Sequence, residues 1–166
     1  MKCLEDPKFS FINSEDRAFM NAFDQAMDER GYGCADELGS GFCWGKYMAV
    51  YTPVGAKTKR VAARIYVREE SIALRLFFSG IDRHRRDIEA APESIRQLFM
   101  GPEGDCHHCE GRERCTFRKS YTLEGRLIEK CSGSVFTIER PQLSQLGDYL
   151  QLFDAFYRRR KGAAGK

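Results

Sequence analysis

Four cysteines carry the clearest chemistry in this sequence: Cys106-x2-Cys109-x5-Cys115-x15-Cys131, with His107 and His108 inside the first pair. Zinc takes four soft ligands in a tetrahedron, with Zn–S of about 2.3 Å. The two residues between Cys106 and Cys109 let both thiolates turn toward one centre. Gly111 allows backbone to approach the sulfurs closely. Arg112, Arg114, Arg118 and Lys119 offset the negative charge of a four-thiolate site. The pattern predicts a structural zinc site with Cys106, Cys109, Cys115 and Cys131 as ligands. An iron–sulfur cluster is the lesser alternative, because the spacing matches neither common ferredoxin run.

Other readings of the same residues compete with this one. Cys115 and Cys131 are also compatible with small buried side chains, a common fate of free cysteine. Cys106 and Cys109 resemble a redox dithiol in spacing, but they follow a Gly/Pro break in a polar stretch. A thioredoxin-like motif belongs in a βαβ setting. One of His107 and His108 can replace a cysteine as ligand, although neighbouring residues seldom both reach one metal. A zinc deaminase would need His-x-Glu upstream of the Cys-x-x-Cys. The sole upstream histidine is His84, in His84-Arg85-Arg86. No His-Glu-x-x-His run is present either, and a four-cysteine set leaves no open position for an activated water. Structure, not catalysis, is the expected role, and the chain is read as a non-enzyme.

Cysteines elsewhere give no better catalyst. Cys3, Cys34 and Cys43 would each need a base beside them, and two of the three histidines lie in the metal loop. Gly39-Ser40-Gly41-Phe42-Cys43-Trp44-Gly45 is glycine-rich but matches no phosphate-binding fingerprint, since a strand follows where a helix is required. It is read as a bend opening a sheet. A ligand pocket lined by Trp44, Tyr47, Tyr66 and Phe77 competes with the ordinary reading of these aromatics as sheet core. Two basic runs, Arg83 to Arg86 and Arg158 to Lys161, would suit phosphates. Asp82, Asp87 and Glu89 neutralise the first, and a metal- or redox-responsive regulator that binds nucleic acid through these basic helices is kept only as the alternative.

The elements that must position these residues follow from periodicity. Residues 14–30 form an amphipathic helix, with Ser14 as cap, Glu15 and Asp16 in its first turn, and Phe19, Phe23, Ala26 and Met27 on one face. Tyr47 to Tyr51 is a short strand. Val61, Ala63, Ile65 and Val67 alternate with Ala62, Arg64, Tyr66 and Arg68, and Ile72, Leu74, Leu76 and Phe78 alternate with Ala73, Arg75 and Phe77. Period-two runs with short connections predict an antiparallel meander with one face on a core. Residues 81–91 are helical, and Pro92 opens a second piece that ends at Gly101-Pro102-Glu103-Gly104. Phe117 to Leu123 and Arg126 to Lys130 form a hairpin across Glu124-Gly125, which sets Cys131 opposite Arg118. Cys115 then lies about 10 Å further along the ladder, so the loop must curl back to bring it to the metal. Val135 to Ile138 is a further strand, and a helix beginning near Pro141 closes the chain.

The chain has 166 residues, of which 42% are hydrophobic and 12% aromatic, enough for a core. The predicted fold is α+β: an antiparallel sheet with helices on one face, and a cysteine-rich, zinc-knuckle-like loop before a C-terminal hairpin and helix. One domain is expected over residues 1–160, with the metal loop at 105–131 and a disordered tail at 161–166. Net charge is +3, too mild for a nucleic-acid footprint. No signal-peptide run or membrane span is evident. A cytoplasmic protein with reduced thiols is therefore expected, and its odd cysteine count argues against a disulfide framework. The expected partner is a small ligand or a protein, not a membrane. The sequence does not specify an oligomeric state.

Overall fold

Helix α1 (Ser14–Asp28) starts one residue after its cap. Asn13, not Ser14, performs that role: its Oδ1 accepts from the Asp16 amide at 2.8 Å, while Ser14 is already helical. The apolar spacing then turns Phe19, Met20, Phe23 and Met27 inward. In this computed structural model the described residues are 1–57, 60–107, 115–131 and 135–157.

Two short strands follow, β1 (Tyr32–Gly33) and β2 (Gly39–Ser40), both pairing with β3 (Tyr47–Pro53). The predicted meander continues through β4 (Ala63–Val67) and β5 (Ile72–Phe77), each antiparallel to its predecessor. Ile65 lies opposite both Ala49 and Leu74, which fixes one inward set: Ala49 and Tyr51, then Ala63, Ile65 and Val67, then Ile72, Leu74 and Leu76. A slip of one residue would turn all of them outward.

Beyond β5, a 3-10 turn (Ile81–His84) runs into α2 (Arg85–Glu89), and Pro92 caps α3 (Glu93–Met100). The hairpin forms as predicted from β6 (Arg118–Leu123) and β7 (Arg126–Cys131), with Cys131 opposite Arg118. Glu124 and Gly125 both take positive φ, 48° and 72°, the pairing required by a two-residue hairpin turn. Strand β8 (Val135–Glu139) then returns to the meander and pairs with β5, giving the order β1-β3-β4-β5-β8. The Gly/Pro seam at 101–104 therefore does not split the molecule, since residues after it supply a strand to the sheet built before it. A 3-10 turn (Leu143–Gln145) leads into α4 (Leu146–Phe156).

The helices pack on the inward face of the sheet. Phe23 of α1 meets Tyr51 edge-on at 5.2 Å, Phe99 of α3 lies 4.3 Å from Phe136, and Phe156 of α4 stacks on Phe78 at 4.2 Å. Six phenylalanines (Phe9, Phe19, Phe23, Phe78, Phe99 and Phe153) are essentially inaccessible. Each contributes about 1.5–3 kcal/mol of burial. The hairpin joins mainly through β6: Tyr121 and Leu123 are buried, and the Tyr121 hydroxyl donates to the Phe99 carbonyl at 2.7 Å. Strand β7 adds Ile128 to the edge of the core and leaves Leu127 exposed.

Candidate metal centre

The outer edge of β7 is not bare. Residues 104–106 run antiparallel to it as a short third strand. The Cys106 amide donates to the Glu129 carbonyl at 2.9 Å, and the Cys131 amide to the Gly104 carbonyl at 2.7 Å, on either side of an Asp105–Lys130 bridge. A buried lysine organises this segment. Lys130 is 3% exposed, and its ammonium donates to the Gly101 carbonyl, to the Glu103 carbonyl at 2.9 Å and to Asp105 Oδ1 at 2.6 Å. An ammonium has three donors, and all three are used.

The ladder places Cys106 opposite Glu129, hence on the face of β7 that also carries Cys131. Arg118, opposite Cys131, reaches Glu129 at 3.6 Å on that same face. Diagonal neighbours of this kind sit about 7–8 Å apart at Cα. Two sulfurs on one zinc lie about 3.8 Å apart, from the Zn–S length and a tetrahedral angle, so the two side chains need only lean together. Cys106 is half-buried and Cys131 exposed. Cys115 is half-buried three residues before Arg118, at the foot of β6. His107 is exposed. Cys109 and His108 lie outside the described residues, so two of the predicted ligands sit on adjacent strands, a third lies near the strand beside them, and the fourth is not placed. Among the described residues no three His, Cys, Asp or Glu side chains come together as a metal set. Comparison with known protein families, curated proteins and solved structures found no match.

The face of the sheet turned away from the helices carries Arg64 and Tyr66 of β4, Arg75 and Phe77 of β5, and Thr137 of β8. Trp44 folds onto this face from the glycine-rich segment: the Arg75 guanidinium lies 3.6 Å from its ring centroid, and Tyr66 is 6.3 Å away. Gly45 makes the fold-over feasible, since a Cβ there would come within 2.7 Å of the Val67 carbonyl oxygen. A cleft of about 270 Å³ lies between this face and the 104–106 strand, lined by Trp44, Arg75 and Thr137 on one side and by Glu103, Gly104 and Cys131 on the other. Of the four aromatics weighed between pocket and core, Tyr47 belongs to the core. It pairs with inward Val67 and packs on Phe9 at 4.9 Å, on the opposite face.

Cys34 is unsuited to nucleophilic work. Cys34 and the Tyr51 hydroxyl both donate to Asp24 Oδ1, at 3.6 and 3.3 Å. Burial, reinforced by the Asp24 carboxylate, pushes the Cys34 thiol up to about 12 and the Tyr51 hydroxyl well above its usual range. His84 is occupied elsewhere, 4.2 Å from the Phe156 ring and 3.6 Å from Asp87. Arg85 lies 3.5 Å from Glu89, in keeping with a solvated helix face, and the second basic run falls outside the described residues. Among those residues no helix is long and apolar enough to cross a membrane.

Lys130 and the Arg64–Arg75 pair were missed as candidate site residues. The first reads in sequence as one more hairpin charge, because its carbonyl partners carry no sequence signal. The arginines were visible, both at outward positions of adjacent strands, but their direct opposition depends on register.

Proposed function

We propose that the chain is a small metal-stabilised binding module. Zinc held by Cys106, Cys109, Cys115 and Cys131 ties the 104–106 strand to the β6–β7 hairpin, and the open sheet face beside it receives a ligand. The observation that carries this reading is the backbone pairing of residues 104–106 with β7. It aligns Cys106 and Cys131 on one face, and Cys131 lines the cleft. A site built there fixes one side of a ligand cleft and leaves the helical core alone.

Elemental analysis with an absorption spectrum tests this, on protein purified anaerobically and without a metal-affinity column. One zinc per chain and no visible absorbance is the expected result, with loss of the metal in Cys106→Ser. Iron with broad visible absorbance replaces zinc by a cluster, and absence of metal overturns the proposal.

A further inference from the structure

We infer that Arg64 and Arg75 bind the phosphate group of a small phosphomonoester, whose organic part packs in the cleft beside Trp44. This rests on the reading of the chain as a binding module and names the ligand class of its open face.

The two arginines occupy directly opposed positions on β4 and β5. Like charges so placed destabilise a sheet, and a compensating carboxylate is the usual remedy. Arg30, Arg68 and Arg96 each have one, on Asp154, Glu139 and Glu93. Among the described residues neither Arg64 nor Arg75 has a carboxylate within ion-pair distance. Glu103 is the one carboxylate lining the adjoining cleft, and it forms no ion pair with Arg75.

What holds the pair is aromatic. Arg75 lies over Trp44, and its Nε donates to Thr137 Oγ1 at 3.0 Å; Arg64 lies 5.2 Å from the Phe77 ring centroid and donates to the Tyr66 hydroxyl at 3.2 Å. Stacking fixes the planes of both guanidiniums while leaving donors of each unspent. Arg64 Nε is buried and has no acceptor among the described residues, which costs free energy. Two fixed forks with a combined charge of two match a phosphomonoester dianion, whereas a carboxylate neutralises only one. The cleft bounded by Trp44 and Arg75 is near the lower limit for small ligands, which suits a compact organic group.

Trp44 is the sole tryptophan, so its emission reports on the site directly. The experiment titrates the full chain with inorganic phosphate, phenyl phosphate and benzoate at constant ionic strength, using chloride as the control. Metal content is measured on the same samples. The expected result is a saturable change in Trp44 emission with both phosphates, tighter for phenyl phosphate. Arg64→Gln and Arg75→Gln should each weaken it about tenfold or more. Circular dichroism establishes that both variants are folded, and Arg64→Gln without ligand should melt no lower than the parent, because it relieves a repulsion. Absence of a saturable response, a response untouched by either substitution, or benzoate binding as tightly as phenyl phosphate overturns the inference. Zinc-loaded protein that ignores phosphate removes this assignment alone. Metal-free protein that still binds it removes the zinc proposal alone.

Discussion

Lys130 Nζ lies 2.6 Å from Asp105 Oδ1, with the lysine side chain almost fully buried and the aspartate half open to solvent. The same ammonium receives two carbonyls from the turn leading to Cys106. One residue of the hairpin thus shapes the entry to the cysteine loop before any metal is considered.

Lys130→Met keeps the aliphatic stem and removes the charge. Two carbonyls lose a charged donor, while Asp105 remains accessible enough to be hydrated. A loss of about 2 kcal/mol is expected from hydrogen bonds of this kind, read by urea denaturation. Amide exchange should quicken at Cys106 and Cys131 more than at Ile65 or Leu74. A uniform loss across the sheet would place Lys130 in the global core instead.

Removing the proposed zinc should act on the same region. The six buried phenylalanines lie between helices and sheet, and the hairpin touches them through β6. Treatment with a strong chelator is therefore expected to lower the melting temperature by several degrees and to raise exchange at Cys106, Glu129 and Cys131. Circular dichroism of the helices should stay near its starting level. Global unfolding on chelation would mean that the metal, not apolar burial, holds the fold.

The cap of α1 gives a smaller and cleaner test. Asn13 Oδ1 satisfies the Asp16 amide, so Asn13→Ala should cost about 1 kcal/mol, whereas Ser14→Ala should cost much less. Equal losses at the two positions would return the cap to Ser14.

The α+β class, the β3–β5 meander and the hairpin register were legible because period-two alternation and the Glu124-Gly125 turn are local signals. Strand β8 was legible as a strand, but its partner was not. Pairing Val135–Glu139 with β5 depends on contacts across some sixty residues, and nothing in that pentapeptide names its neighbour. Strands β1 and β2 are two residues each, too short for any alternation to register. At the candidate site the cysteine spacing announced itself, while the third strand at 104–106 did not. It is held by backbone bonds and by Lys130, neither of which has a spacing signature. Whether Tyr47 served core or pocket was not legible, because aromatic content marks a strand without saying which way each ring points.

The Cys34–Asp24–Tyr51 cluster makes a prediction about alkaline pH. Burial raises the folded-state pKa of both acids, to about 12 for Cys34 and well above the usual range for Tyr51. Between the unfolded and folded pKa values the unfolded chain binds fewer protons than the folded one, so stability falls as pH rises. The contribution is intact below about pH 8.5, the ordinary thiol value, and is progressively lost toward pH 12. Urea midpoints measured from pH 8 to 11 should decline more steeply in the parent than in Cys34→Ala, which lacks the buried thiol. The same burial shields Cys34 from alkylation: iodoacetamide at pH 8 should label exposed Cys43 in the native protein and leave Cys34 unmodified until denaturant is added. Labelling of Cys34 at the rate of Cys43 would show that the cluster opens readily and that its thiol is not held neutral by burial.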